Sequence, residues 1–225
     1  MTHTERSPEE ELRRELVRLS RQLSRLGFTP GTSGNLSVRL DQERLLATPT
    51  GASKNQLRSA DLVIVDLEGR QLAGCRRVTS EIGMHLAIYA KREDVEAVIH
   101  SHPPIATAFA CAGQPLDEML CQEAVMTLGS VPLASYATTG TDEVAASLAP
   151  LIPNHDAILM ANHGAVTCGR SLADAFFKME TLEHIAQIRL VVHQLGSVRT
   201  LKGEQAERLL RAKERYLQNA AGWPN

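Results

Sequence analysis

The chain has 225 residues, 43% of them hydrophobic and 22% charged, with a formal net charge of −2. These values allow one soluble globular domain with a substantial core, and they leave no basic field for nucleic acid. No apolar run reaches membrane-spanning length, residues 1–11 lack the order of a secretory signal, and Cys75, Cys111, Cys121 and Cys168 are scattered, so the expected setting is the cytoplasm, with free thiols.

Ser7-Pro8-Glu9-Glu10 predicts a capped helix start. Leu12, Leu16, Leu19, Leu23 and Leu26 recur at helical spacing and Gly27 stops the helix, which spans 7–27. Residues 36–40 alternate like a half-buried strand, with 45–48 as its hairpin partner. Strands at 62–66 and 71–73 follow. Thr79-Ser80-Glu81 opens a helix to about residue 92, with Ile82, Leu86, Tyr89 and Ala90 on its buried stripe. Residues 95–99 read as a buried strand that ends in His100-Ser101-His102. Pro103-Pro104 starts a helix over 105–112, while 121–128 fits either helix or extended chain. A short strand at 131–134 precedes a helix capped by Thr141 or Asp142 and running to about 151. Residues 156–160 form a strand ending at Asn162-His163-Gly164, and 165–168 continue as strand. Ser171 caps a long helix to about 195, 203–219 forms the last, and 220–225 is a tail. No repeat or linker divides the chain, so 1–225 reads as one domain. Hairpins rather than βαβ units at the start predict a mixed sheet with helices on its faces.

His100 and His102 lie two residues apart at a strand's end, so their side chains share a face. His163 ends a second strand, and the glycine after it leaves room nearby. Three imidazoles so placed suggest a catalytic metal site with a position open for substrate. The plainer alternative is incidental histidines and an ordinary turn. His85, His184 and His193 fall within helical patterns and are expected to be solvated or satisfied in the core. Thr79 and Ser80 at a helix start offer hydroxyls and amides to an anion such as phosphate, and Glu81 can serve as a fourth ligand or carry a proton. Ser33-Gly34-Asn35 and Pro49-Thr50-Gly51 are small polar loops, each compatible with a plain turn.

In their order and spacing, Gly31-Thr-Ser-Gly-Asn35, Thr48-Pro-Thr-Gly51, Thr79-Ser-Glu81, His100-Ser-His102, Tyr136-Ala-Thr-Thr-Gly-Thr141 and Asn162-His-Gly164 resemble the class II aldolase/adducin family. The likeness runs from the first helix to the helix after Ser171. It implies an α/β fold of three layers, a mixed and mostly antiparallel central sheet flanked by helices. It also implies a homotetramer with active sites at subunit interfaces. By the same resemblance, His100, His102 and His163 hold zinc, with manganese or cobalt also possible, and Glu81 both ligates the metal and acts as acid/base. Gly34, Asn35, Thr50, Gly51, Thr79 and Ser80 are the implied phosphate-binding positions. The implied reaction is reversible cleavage of a ketose 1-phosphate, L-fuculose 1-phosphate or a 5-deoxypentulose 1-phosphate, into dihydroxyacetone phosphate and an aldehyde through a metal-stabilised enediolate.

Cys121 stands where the fuculose-phosphate branch of the family has a tyrosine. Glu123 falls near the position of a catalytic glutamate in the methylthioribulose-1-phosphate dehydratases, and its plainer reading is a surface glutamate. Tyr216 is a candidate for a tyrosine that closes over substrate. Rival activities within the family are that dehydratase or the corresponding aldolase, a pentulose-5-phosphate 4-epimerase, and a metal-free binding head as in adducin. Glu81 argues against the dehydratase, and three histidines argue against the binding head.

Overall fold

The structure is a computed structural model in which residues 7–220 are described; residues 221–225 of the expected tail lie outside them. Helix α1 (Pro8–Arg25) begins where the sequence predicts, with Ser7 Oγ accepting the Glu10 amide hydrogen. Leu16, Leu19 and Leu23 are buried on its inner face. Leu26 departs from the expected stripe. The helix stops at Arg25, Gly27 turns with φ 79°, and Leu26 is left 42% exposed.

Strands β1 (Asn35–Arg39), β2 (Arg44–Ala47), β3 (Val63–Asp66) and β4 (Gln71–Ala73) form an antiparallel meander. Aspartates close two of its turns. Asp41 Oδ1 accepts from the amides of Glu43 and Arg44, and Asp66 Oδ1 from those of Glu68 and Arg70. Helix α2 (Ile82–Lys91) leads to β5 (Ala97–Ser101), followed by α3 (Pro104–Cys111), α4 (Gln122–Thr127) and β6 (Leu133–Ala134). Residues 121–128 therefore resolve as helix. Helix α5 (Asp142–Leu148) ends three residues before the expected 151, because Pro150 has no N–H and disfavours helix in the residue before it. Strands β7 (Ala157–Met160) and β8 (Gly164–Gly169) form a hairpin, and α6 (Leu172–Gln194) and α7 (Glu204–Ala220) complete the chain.

The eight strands make one sheet in the order β4-β3-β2-β1-β5-β8-β7-β6. The β6–β7 pair is parallel and the other neighbours are antiparallel, so the sheet is mixed and mostly antiparallel, as expected. Side chains alternate between two cores. Leu36, Val38, Leu46, Ile64, Ala97 and Ile99 pack with α1, α3 and α6. Leu45, Val63, Val65, Val98, Val166 and Cys168 pack with α2 and α5. The three-layer α/β architecture follows from this alternation. No helix among the described residues is long and apolar enough to cross a membrane.

Two details bear on the site. The buried face of α2 is wider than expected: Met84, His85, Ile88 and Tyr89 are buried, Ile82 and Leu86 pack half-buried against the same core, and Ala90 is exposed. This face carries the polar atoms of His85 and Tyr89 among apolar side chains, so apolar periodicity alone does not pick out His85. In addition, the buried Glu183 of α6 accepts the amides of Ile105 (3.0 Å) and Ala106 (2.9 Å). A carboxylate there satisfies orphan donors at the start of α3 and complements the helix dipole. It thereby anchors the chain just after His102.

Candidate active site

Strand β5 carries His100 into the middle of the sheet, opposite Asn35 of β1 and Val166 of β8. The ring is fully buried, and its Nδ1 lies 2.9 Å from the carbonyl oxygen of Ala165. A carbonyl only accepts, so Nδ1 carries the hydrogen and Nε2 presents a bare lone pair. Beyond the strand's end, the His102 amide donates to the Phe28 carbonyl (2.7 Å). Its Nε2 comes 3.1 Å from that of His100. Two nitrogens bound to one tetrahedral zinc at about 2.0–2.1 Å would stand about 3.3 Å apart.

His163 arrives from the β7–β8 turn. Its amide donates to the Met160 carbonyl (3.0 Å), and Asn162 before it sits in the left-handed region at φ 56°. Asparagine tolerates that conformation better than most residues. Gly164 then lets the turn approach His102 closely: a Cβ there would lie 2.5 Å from His102 Cδ2 and 2.7 Å from the Ser101 oxygen. Potential ligand atoms of His100, His102 and His163 all lie within 4.8 Å of one another.

Burial lowers the pKa of all three histidines. For His100 and His102 the neighbouring imidazoles lower it further, while Glu81 opposes the shift at His102 and His163. Neutral imidazoles are the form that binds a metal. Glu81 faces them as the residue before α2, with Oε2 3.5 Å from His100 Nε2 and Oε1 3.4 Å from His163 Nε2. Its Oε1 is buried without a hydrogen-bond partner, as is His163 Nδ1. Three neutral nitrogen donors, a carboxylate and an orphaned carboxylate oxygen fit a divalent cation.

The expected phosphate residues sit on three loops that the fold ties together. Thr79 N donates to Thr48 O and Thr50 N to Arg77 O, and the Leu36 amide donates to Thr48 Oγ1. Ser80, Thr50 and Gly51 are exposed, whereas Gly34, Asn35 and Thr79 are buried. Gly34 has φ 73°, and a Cβ there would come within 2.9 Å of the His100 carbonyl oxygen, so this loop lies against the strand that carries His100. The side chain of Asn35 is turned to Glu81 and His85.

Sequence reasoning missed Lys54. It is 1% exposed, and its Nζ donates to Thr32 O (2.9 Å) and Ala52 O (2.8 Å), joining two of the three loops. Burial pulls its pKa down to about 8, opposed by the charge of Glu81. A single lysine in a small polar loop has no periodic signature; its place three residues after Gly51 is the signal that was available. Glu123 is exposed on α4 and does not join the histidine cluster. Cys121 is half-buried, and the side chain of Tyr216 lies outside the described residues.

The profile of the class II aldolase and adducin N-terminal domain matches residues 14–190. The chain belongs to the class II aldolase and adducin family. A 5-methylthioribulose-1-phosphate/5-deoxyribulose-1-phosphate aldolase of Rhodospirillum rubrum is 35% identical, over 93% of this chain and 94% of its own. A 3-oxo-tetronate 4-phosphate decarboxylase of Escherichia coli is 36% identical, over 88% and 95%. The solved structure of an L-fuculose 1-phosphate aldolase superposes with a TM-score of 0.85 at 31% identity, covering 96% of this chain and all of the other. The relatives named as aldolases identify the chain as a lyase of this family, whose class II aldolases depend on a metal.

The tight approach at Gly164 gives a direct test of the site. Gly164→Ala should push the His102 ring aside and weaken divalent-metal binding by about tenfold or more. The measurement is competition with a chromophoric chelator, alongside a circular dichroism spectrum that should remain that of the parent.

Proposed function

We propose that this protein reversibly cleaves a ketose 1-phosphate into dihydroxyacetone phosphate and an aldehyde. The metal is a divalent cation, zinc in the first instance, with His100, His102, His163 and Glu81 as its ligands. The observation that carries this reading is the cluster of three neutral imidazoles facing one carboxylate, beside three interlocked polar loops. A 5-deoxypentulose 1-phosphate is the leading substrate, with L-fuculose 1-phosphate next.

When bound, the cation polarises the ketone and stabilises the negative charge that develops as the carbon–carbon bond breaks. Gly34, Thr50, Gly51, Thr79 and Ser80 receive the phosphate, Asn35 contributes through its backbone because its side chain is held by Glu81 and His85, and Lys54 adds a positive charge beneath two of these loops. Fixing the phosphate sets the position of the reacting carbons. Glu81 gives a proton to the carbon left carbanionic and takes it back in the condensation direction. Oε1 is the oxygen free to do so, because Asn35 Nδ2 holds Oε2 at 2.7 Å.

The decarboxylase relatives support a second reading on the same residues. Loss of carbon dioxide from 3-oxo-tetronate 4-phosphate leaves a carbanion on a three-carbon phosphate fragment of the same kind. Only the departing group differs. For the assembly, exposed Phe177 and Val191 on α6 and Leu195 just after it are apolar surface suited to a partner subunit, in keeping with a homotetramer. Glu123 has a place in the chemistry only if such a partner brings it to the site.

Two measurements test the proposal. The first is release of dihydroxyacetone phosphate from L-fuculose, L-rhamnulose, 5-deoxyribulose and methylthioribulose 1-phosphates and from 3-oxo-tetronate 4-phosphate, with and without chelator. Chelator-sensitive release from a ketose 1-phosphate is expected. Release from the oxo-tetronate alone would make the enzyme a decarboxylase, and consumption of methylthioribulose 1-phosphate without release would make it a dehydratase. The second is the pH profile. An amine with a pKa of about 8 loses its charge as pH rises through that value. The kcat/KM for a phosphorylated substrate, which reports the free enzyme, should therefore decline above about pH 8, and Lys54→Met should flatten that limb.

A further inference from the structure

Behind Glu81, four side chains form one continuous line of hydrogen bonds. Asn35 Nδ2 is 2.7 Å from Glu81 Oε2, and Asn35 Oδ1 is 2.5 Å from His85 Nε2. His85 Nδ1 is 2.7 Å from Ser37 Oγ, which is 2.9 Å from the Tyr89 hydroxyl. Ser37 and His85 are completely buried, and Asn35 and Tyr89 are 3% exposed, so bulk water offers no substitute partner.

The chemistry of each group fixes the direction of this line. An ionised carboxylate only accepts, so Asn35 turns its NH2 group toward Glu81 and its oxygen toward His85. That oxygen needs a hydrogen from Nε2. Burial lowers the His85 pKa to about 3, so the ring is neutral and has one hydrogen to give. With Nε2 protonated, Nδ1 accepts from the Ser37 hydroxyl, and Ser37 Oγ in turn accepts from Tyr89, whose own pKa burial raises. The other tautomer of His85 would turn the amide round and set its oxygen against the carboxylate at 2.7 Å.

We infer that His85 is a positioning residue for the reaction: acting through the Asn35 amide, it holds Glu81 Oε2 and leaves Oε1 for proton transfer. The inference rests on the reading of Glu81 as the acid/base. It also accounts for a feature the fold alone leaves unexplained. On the α2 side of the sheet, β1 presents Asn35, Ser37 and Arg39, all polar, where β3 presents Val63 and Val65. A buried polar row is costly unless every member is satisfied, and this one is satisfied in a single arrangement.

The test has a structural arm and a kinetic arm. Long-range 15N NMR on the full-length protein should show His85 neutral with its hydrogen on Nε2. A hydrogen on Nδ1 would overturn the inference whatever the activity, so this readout stands even if no tested sugar phosphate is turned over. In the kinetic arm, His85→Leu should lower kcat by about 10- to 100-fold with KM within about threefold and bound metal unchanged. His85→Gln keeps an N–H donor toward Asn35 and should recover most of the loss. If His85→Leu does not fold, His85→Met, which fills similar space without an N–H donor, takes its place and should show the same loss of kcat. Parent-like kcat in whichever of these donor-free variants folds would overturn the inference.

Discussion

The hydrogen bond from His100 Nδ1 to the Ala165 carbonyl is the constraint on which the site depends. It is a consequence of register. Pairing of β5 with β8 sets Ser101 opposite Ala165 and His100 opposite Val166, inside the sheet, where the ring meets no water. With Nδ1 committed to a carbonyl, the only lone pair left on the ring points at His102 and Glu81. A one-residue slip would send His100 to the other face of the sheet and its hydrogen elsewhere. The positions of His102, just past β5, and of His163, immediately before β8, follow from the same pairing.

Burial serves binding and chemistry together here. It keeps the three imidazoles neutral, which leaves their nitrogens available to a cation. It lowers the pKa of Lys54 while two carbonyls hold its ammonium group between loops. It also makes the line from Tyr89 to Glu81 a matter of all or nothing, since a broken member would leave its neighbours unpaired in a dry interior. Protein stability and the geometry of the proposed chemistry thus draw on the same few hydrogen bonds.

Much of this was legible in the sequence, for identifiable reasons. Ser7-Pro8, Thr141 and Ser171 cap the helices they were expected to cap, because capping is local chemistry. The spacing of His100 and His102 gave their shared face, because strand periodicity is equally local. Family resemblance supplied His163 with its role and the three loops with theirs. What escaped depended on contacts between distant residues. The buried face of α2 carries a histidine among apolar side chains, which a search for apolar stripes passes over, and so His85 was read as unremarkable. Lys54 has no motif and is defined by carbonyls 2 and 22 residues away. Glu123, drawn in by analogy of position, is exposed on α4 in the single chain.

In the proposed site, His100, His102 and His163 hold one divalent cation against Glu81. Anomalous diffraction across the zinc edge, on crystals of protein purified without chelator or added metal, tests this arrangement. One anomalous peak per chain is expected, within coordination distance of the three imidazoles. A peak bound elsewhere, or none in protein shown to be active, would overturn it.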